Sequence, residues 1–195
     1  MAKFGGLLVL LALVVVLPAA VFVVMQPSNP RSNAADLNSS QNARANGMVV
    51  DGSFVDSDTP NKNFGEAPVL WSDGNSKKIM FFKLDLAKLE PSKVNSANLK
   101  LTVVHGSEGE FQVINVPVST WTGDTITYNV RPLPGETVTK FKGVNGGQEL
   151  IIDLTDFVKA NAGKVASIMI QTGDPNGLSV NSLVSSYAPP ELVVK

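Results

Sequence analysis

The chain has 195 residues, enough for one domain with a substantial hydrophobic core. It carries 16 Lys and Arg against 17 Asp and Glu, and this formal net charge of −1 supplies no basic surface for a nucleic-acid backbone, which argues against nucleic acid as a partner. Cysteine is absent and histidine occurs once, so disulfides, thiolate metal sites and sites with paired histidines are excluded.

The first element is an uncharged apolar run, LLVLLALVVVLPAAVFVVM, over residues 7–25. A helix of about 20 apolar residues spans the hydrocarbon layer of a membrane, and the proline in this run predicts a kink of the kind that membrane helices tolerate. We interpret residues 1–25 as a single N-terminal α-helix, retained in the protein, that crosses a membrane or packs against copies of itself in an assembly core. The residues expected to make these contacts are Leu7, Leu11, Val15, Pro18 and Phe22.

Two other interpretations of the apolar run stay open. Residues 7–17, followed by Pro-Ala-Ala, partly match a cleaved signal peptide, although the run resumes at once with VFVVM. A buried helix of a soluble domain is ordinarily shorter than this run.

Residues 26–47, QPSNPRSNAADLNSSQNARANG, are predicted to form a polar linker or stalk. A tract this rich in Asn and Ser cannot bury enough apolar surface to fold alone. The alternative is a helix over residues 33–46 that is ordered only by neighbours in an assembly.

Positive charges before the apolar run (Lys3) and after it (Arg31 and Arg44) nearly balance, so they do not fix the orientation of the chain in a membrane. We expect the C-terminal part to lie outside, at a cell surface, in a surface filament or on a virion.

Residues 48–195 alternate short runs of β-forming residues with turns rich in Gly, Pro, Asn and Asp, which is typical of an all-β sandwich or jelly roll. The predicted strands are MVVDGSFV, KIMFFKLDL, ANLKLTVV, FQVINVPV, DTITYNV, ETVTKF, ELIIDL, VASIMIQT, GLSV and ELVVK. One short helix is predicted over residues 155–162, with Thr155 as its N-cap and Gly163 at its end.

Five segments, in this order along the chain, carry a family resemblance: VDSDTPNKNFGEAPVLW, FFKLDLAKLEPSKVNSANLKLTV, VSTWTGDTITYNVRPLPG, LIIDLTDFVKA and SSYAPPELVV. Together they resemble the DNRLRE-type domain, also described as carbohydrate-binding module family 96, over nearly all of residues 49–194. The most specific piece is Trp121 followed by Ile126-Thr127-Tyr128 and Arg131-Pro132. The resemblance implies a jelly-roll β-sandwich of secreted and surface proteins, which binds polysaccharide in some members and is a spacer or structural part in others. Residues 185–187, Ser-Ser-Tyr, depart from the Ser-Arg-Glu or Ser-Ser-Glu of the family.

A sugar-binding surface needs an aromatic ring that stacks on the apolar face of a sugar and polar or charged groups that pair with its hydroxyls or carboxylates. The candidates in this sequence are Trp71, Lys62, Lys77, Lys78 and Arg131. Their alternative roles are core packing for the tryptophan and a solvated rim for the cations. By their place in the family motif, Trp121 and Tyr128 are expected to pack the sandwich.

Asp51, Asp56 and Asp58 offer the oxygen ligands that calcium prefers, so we consider a structural calcium site there. The spacing does not match an EF-hand loop, and turns rich in Asp and Asn need no ion. Residues 73–75 and 174–177 are predicted to be tight turns of that kind. No cofactor is expected apart from this possible ion.

Catalytic motifs are not found in the sequence: it has no Gly-x-Ser-x-Gly elbow, phosphate-binding loop or dinucleotide fingerprint. Glu108 and Glu110 alternate as a glycosidase pair would, but such pairs are usually exposed charge. We therefore expect a non-catalytic surface structural protein, a subunit of a membrane-associated or filamentous assembly that displays a carbohydrate-binding-like sandwich. The alternatives are a monomeric membrane-anchored adhesin that binds polysaccharide and a virion membrane or spike protein.

Overall fold

The computed structural model describes residues 48–195. The predictions for the N-terminal helix and the polar linker lie outside the described residues, as do the membrane or assembly contacts predicted for Leu7, Leu11, Val15, Pro18 and Phe22. From Met48 to Lys195, every helix is too short or too polar to cross a membrane.

Ten β-strands, one α-helix and one 3₁₀ turn form the described part of the chain. The strands are β1 (Val49–Val55), β2 (Val69–Ser72), β3 (Ile79–Asp85), β4 (Ala97–His105), β5 (Glu110–Val116), β6 (Thr137–Lys142), β7 (Glu149–Asp153), β8 (Val165–Thr172), β9 (Leu178–Asn181) and β10 (Glu191–Val194). The helix α1 covers Thr155–Asn161, and the 3₁₀ turn covers Pro91–Lys93.

The strands form two antiparallel sheets. The first sheet has the order β1-β3-β8-β5-β6. The second has the order β10-β4-β9-β2, with β7 also paired to β4. Strand β4 is long enough to have three partners, because β10 pairs with its first half, β9 pairs near its end, and β7 pairs with its other edge.

Alternate residues of the two sheets face each other and form the main hydrophobic cluster. Met80, Phe82 and Leu84 of β3 belong to this cluster together with Leu99 and Leu101 of β4, and each is at most 1% exposed. Burying a side chain of this size stabilises the fold by about 1.5–3 kcal/mol. The prediction of a β-sandwich is confirmed, and the jelly-roll connectivity stays a prediction.

The predicted strands coincide with β1 and with β3 to β10, apart from small differences at their ends. Strand β2 was not predicted, because four residues at the edge of a sheet are too short to show a clear alternation. Its register comes from pairing with β9, where Trp71 lies opposite Ser179.

One predicted strand is wrong. Residues 124–130 are part of a loop that joins β5 to β6, and we call residues 117–136 the covering loop. Its backbone bonds are turn-like, such as the Ile126 N–H donating to the Thr122 carbonyl at 3.0 Å. Trp121 and Ile126 of this loop are buried in a second hydrophobic cluster with Phe81 and Met169, residues that point away from the main core. The alternation that predicts a strand arises because side chains of the loop pack on the outer face of the first sheet.

The helix is where it was predicted, but its cap is not. The N-cap residue is Leu154, which has no capping side-chain bond, so the prediction of Thr155 as N-cap is wrong. The Thr155 hydroxyl instead donates to Asp153 at 2.6 Å and accepts from the Ala97 N–H at 3.0 Å, which ties the helix to β4. Gly163 follows the helix with a φ of 85°, a left-handed conformation that favours glycine.

Candidate functional site

The side chain of Trp71 lies on the outer face of the second sheet. Its neighbours Leu70 and Ser72 are fully buried on the inner side, so the strand alternation turns Trp71 outward, where it is half-buried. Across β9 it pairs with Ser179, which in turn pairs with His105 at the end of β4. The Trp71 and His105 rings are 5.6 Å apart between centroids, with an angle of 34° between their planes. We call Trp71, Ser179 and His105 the aromatic strip.

A β-bulge places His105 in the aromatic strip. Between Val103 and His105 the register of β4 against β9 shifts, so Val104 has no partner on β9 and His105 takes the position opposite Ser179. The His105 N–H donates to the Ser179 hydroxyl at 3.0 Å, which holds this end of β4 against β9. Without the shift, strict alternation from the buried Val103 would put His105 on the inner side.

The β2–β3 turn adds a cation to the aromatic strip. Lys78 pairs with Asp73 at the base of the turn, and its Nζ lies 5.7 Å from the centroid of the Trp71 ring. Lys77 is exposed beside it, with a φ of 42°. The turn is fixed from the other side as well, because the Gly74 N–H donates to the Asp174 carbonyl at 2.9 Å. An aromatic face with an adjacent ammonium group suits a ligand that has both apolar surface and an oxygen acceptor.

Among the Phe, Tyr and Trp side chains of residues 48–195, that of Tyr187 is the most exposed, at 76%. Its loop reaches the outer face of the second sheet, because the Asn181 side-chain amide donates to the Ala188 carbonyl at 3.3 Å. Asn181 pairs with Val69, two residues before Trp71 on the same strand face. Sequence reasoning did not propose Tyr187 or His105 as binding residues. For Tyr187, the signal available in the sequence was the departure from the family pattern at residues 185–187.

The five predicted glycan contacts separate into two groups. Trp71, Lys77 and Lys78 lie together at the β2–β3 turn, as just described. The other two, Lys62 and Arg131, lie on neighbouring loops that are joined by the Asn129 N–H donating to the Pro60 carbonyl at 3.0 Å.

Each cation of the second group lies over a ring of its own loop. The Lys62 Nζ is 4.8 Å from the Phe64 centroid, and the Arg131 guanidinium is 3.7 Å from the Tyr128 centroid. Trp121 is only 7% exposed and Tyr128 packs on the second hydrophobic cluster, so both have the packing role expected of them. The stacked guanidinium covers part of the Tyr128 ring at 3.7 Å, whereas the Lys78 ammonium group lies farther from the Trp71 ring, at 5.7 Å.

Two of the three aspartates considered for calcium, Asp51 and Asp56, accept hydrogen bonds from the protein's own backbone, and the third, Asp58, is exposed. Asp51 accepts from the Gly123 N–H at 3.0 Å and lies 3.8 Å from the Lys83 Nζ, so it fastens the covering loop to β1. Asp56 accepts from the Asp58 N–H at 2.9 Å in a local turn. Within the described residues no three acidic or histidine side chains converge as a metal site. The predicted turns at residues 73–75 and 174–177 are confirmed by similar aspartate-to-backbone bonds.

Other carboxylates show structural pairing. Glu110 forms an exposed ion pair with Lys140 at 2.9 Å, so it does not face Glu108 as a free partner. Asp153 accepts hydrogen bonds from the hydroxyl and the N–H of Thr155, and these bonds hold the pKa of its carboxyl below the ordinary value of 3.8. Asp153 lines a cavity of about 480 Å³ beside α1, which has no aromatic platform facing solvent.

Comparison with known proteins gives one family. The family model of carbohydrate-binding module family 96 matches residues 43–195, a range that includes every strand described above and both hydrophobic clusters. A search of curated proteins found none that matches this chain. The chain belongs to carbohydrate-binding module family 96.

Proposed function

We propose that this chain is a non-catalytic glycan-binding protein and that the aromatic strip, with Lys77 and Lys78 beside it, is its binding site. The ligand class is an acidic polysaccharide, because a sugar ring can stack on Trp71 while its carboxylate pairs with a lysine. Family membership supports carbohydrate binding in general. The observation that carries the choice of site is the outward pairing of Trp71 with His105 across Ser179.

Binding by the fragment 43–195 to polygalacturonate tests this proposal. The fragment contains all the described strands and both clusters, so it has a complete core. We expect Trp71→Ala to lower the affinity by about tenfold or more, because a stacking platform is lost. We expect Lys78→Gln to lower the affinity and to weaken its dependence on salt concentration.

The matched control is Ile151→Ala, which removes an apolar side chain that is 56% exposed on β7 of the same sheet. It should bind as the unchanged fragment does. Equal affinity of Trp71→Ala and Ile151→Ala would contradict the assignment of the site. Absence of binding to every acidic polysaccharide tested would contradict the proposed function.

We further propose that residues 1–25 hold this domain at a cell surface, through a membrane or through packing with copies of the chain in a structural assembly. The support is the apolar run in the sequence, followed by a polar linker. Electron microscopy of the purified full chain should show regular polymers or lattices for an assembly subunit and separate detergent-bound particles for a simple anchor. If mass spectrometry shows that the native chain begins after Met25, both the membrane anchor and the assembly contact through residues 1–25 are contradicted.

A further inference from the structure

Two strands of the sandwich have an unpaired edge, and both edges lie on the same side of the molecule. Among residues 48–195, β6 pairs only with β5 in the first sheet, and β7 pairs only with β4 in the second. On their other sides, the backbone groups of β6 and β7 make no hydrogen bond within this part of the chain. Val138 and Thr139 of β6 line the cavity of about 480 Å³ together with Asp153 of β7, so the two edges are neighbours across this cavity.

The geometry of the two edges suits a two-fold axis between two copies of the chain. A short connection, residues 143–148, returns the chain from β6 to β7, so the two strands run in opposite directions. Because they line one cavity, residues 138 and 139 of β6 lie level with residue 153 of β7. A two-fold axis parallel to the strands joins the first sheet of one copy to the second sheet of the other and leaves every residue at its own height. It therefore places β6 antiparallel to β7 of the second copy, twice in the dimer.

This arrangement puts basic side chains opposite acidic ones. With Val138 opposite Asp153 of the second copy, antiparallel pairing puts Lys142 opposite Glu149. Lys140 and Lys142 are the exposed lysines of β6, and Glu149 and Asp153 are the exposed acids of β7. Lysines on an edge strand disfavour pairing with another basic strand, so two β6 strands are poorly suited to each other. An acidic strand is the complement of β6.

The ion pairs within one copy leave room for this contact. Glu149 lies 3.4 Å from the Lys100 Nζ, but both side chains are exposed, and such surface pairs contribute little. Lys142 has no ion pair in the part of the chain that the structure describes. Its ammonium group can therefore meet a carboxylate of a second copy without breaking a bond.

The inward side of the same edges is apolar. Phe141 and Val138 of β6 pack against the main hydrophobic cluster but are only half-buried, because the first sheet ends there. Leu150 and Ile152 of β7 belong to the same cluster. In the arrangement above, Phe141 lies opposite Leu150 of the second copy, so the two main clusters become continuous. The exposed part of the Phe141 ring is then removed from water, which favours association.

We propose that residues 137–142 and 149–153 form an interface between two copies of this chain, in which β6 of each copy pairs with β7 of the other. A second copy is the occupant because one side of the sandwich carries both halves of the interface, the basic strand and its acidic complement, at matching heights. The preceding segment of this chain joins β1 at Met48, at the opposite edge of the first sheet, which is four strand spacings or about 19 Å from β6. The glycan control Ile151→Ala keeps the backbone and the charges of β7, so it retains this interface.

The interface does not depend on the aromatic strip. Exchange of the two sheets turns the second sheets of the two copies to opposite faces of the dimer, and each second sheet carries one aromatic strip. Where the proposed function holds, the dimer therefore joins two polysaccharide chains.

Sedimentation velocity of the fragment 43–195, over a series of concentrations, tests the proposal. We expect an equilibrium of monomer and dimer. Lys142→Glu and Glu149→Lys should each raise the dimer Kd by about tenfold or more, because like charges then face each other at both contacts. An equal mixture of the two variants should form dimers again, since each contact of the mixed dimer joins a glutamate to a lysine. The matched control is Glu191→Lys, which reverses a charge on β10, on the other side of Lys100, and should leave the dimer unchanged.

Urea unfolding shows whether each variant is folded. Should a single variant be unfolded, the double variant Lys142→Glu/Glu149→Lys, which restores both contacts with one chain, replaces the mixture and should dimerise. The proposal is overturned if the unchanged fragment stays monomeric up to about 1 mM, if either charge reversal leaves the Kd unchanged, or if the mixture or the double variant stays monomeric. Sedimentation needs no polysaccharide, so this interface and glycan binding at the aromatic strip can fail separately.

Discussion

Replacing Trp121 tests whether the most family-specific residue of the chain is structural. Its ring meets Phe81 edge-on at 5.7 Å between centroids and lies 4.8 Å from the Lys83 Nζ, and its Nε1–H donates to the Ser167 hydroxyl at 3.2 Å. Removing a buried tryptophan costs about 3–5 kcal/mol of unfolding free energy. At about 3 °C per kcal/mol for a domain of this size, Trp121→Ala should lower the Tm by about 10–15 °C.

Trp121→Phe is the graded comparison for this prediction. It keeps a ring against Phe81 and loses the N–H donor, while the Ser167 hydroxyl retains its bond to Ser119 at 2.9 Å. We expect a loss of about 1–2 kcal/mol, measured by urea unfolding of the fragment 43–195. Neither variant should change the affinity of the folded protein for the glycan. A loss below about 1 kcal/mol for Trp121→Ala would refute the role of the covering loop in stability.

Three further predictions concern single positions. Gly74→Ala adds a Cβ 2.5 Å from the Gly173 carbonyl carbon, so it should displace the β2–β3 turn and lower both the Tm and the glycan affinity at the aromatic strip. The control is Gly173→Ala, because a Cβ at that position has nothing within 4 Å. Equal Tm values and affinities for the two variants would contradict the close packing at Gly74. Ser72→Ala removes a buried hydroxyl that has no hydrogen-bond partner in residues 48–195, so it should raise the unfolding free energy by about 1 kcal/mol in urea titrations, where a decrease would count against this reasoning. Because the folded-state pKa of Asp153 is lowered, its ionised form stabilises the fold above pH 3.8, and this contribution disappears as the pH falls through the folded-state pKa. Unfolding of Asp153→Asn between pH 2 and 6 should therefore differ from that of the unchanged chain at the upper end and converge with it at the lower end, and a constant difference would contradict the assigned bonds.

The strands of the sandwich could be predicted because their alternation is local. In β4, Ala97, Leu99 and Leu101 face the core and the residues between them do not, so the pattern needs no knowledge of partners. The same reasoning failed at residues 124–130, where Ile126 and Tyr128 also alternate but pack as a loop on the outside of a sheet. The alternation in the sequence indicates which side chains are buried, but it does not indicate whether the backbone between them pairs with another strand.

The candidate site was predicted only where its residues are close in the chain. Trp71, Lys77 and Lys78 belong to one strand and its turn, so their grouping follows from a short hairpin. His105 joins them through a bulge and through pairing across β9, and neither feature has a local signal in the sequence. Lys62 and Arg131 were grouped with Trp71 by residue type alone, and the fold places them on other loops.

The three partners of β4 also order the steps by which the domain can be made. Its edge over residues 97–100 is paired by β10, which the ribosome synthesises some ninety residues later, at residues 191–194. Until then this edge has free backbone donors and acceptors of the kind that recruit strands from other chains. Pairings so distant in sequence close slowly. A nascent chain of this protein therefore carries an unpaired strand edge from the synthesis of β4 until β10 follows some ninety residues later, and during that interval pairing with another chain competes with the native pairing.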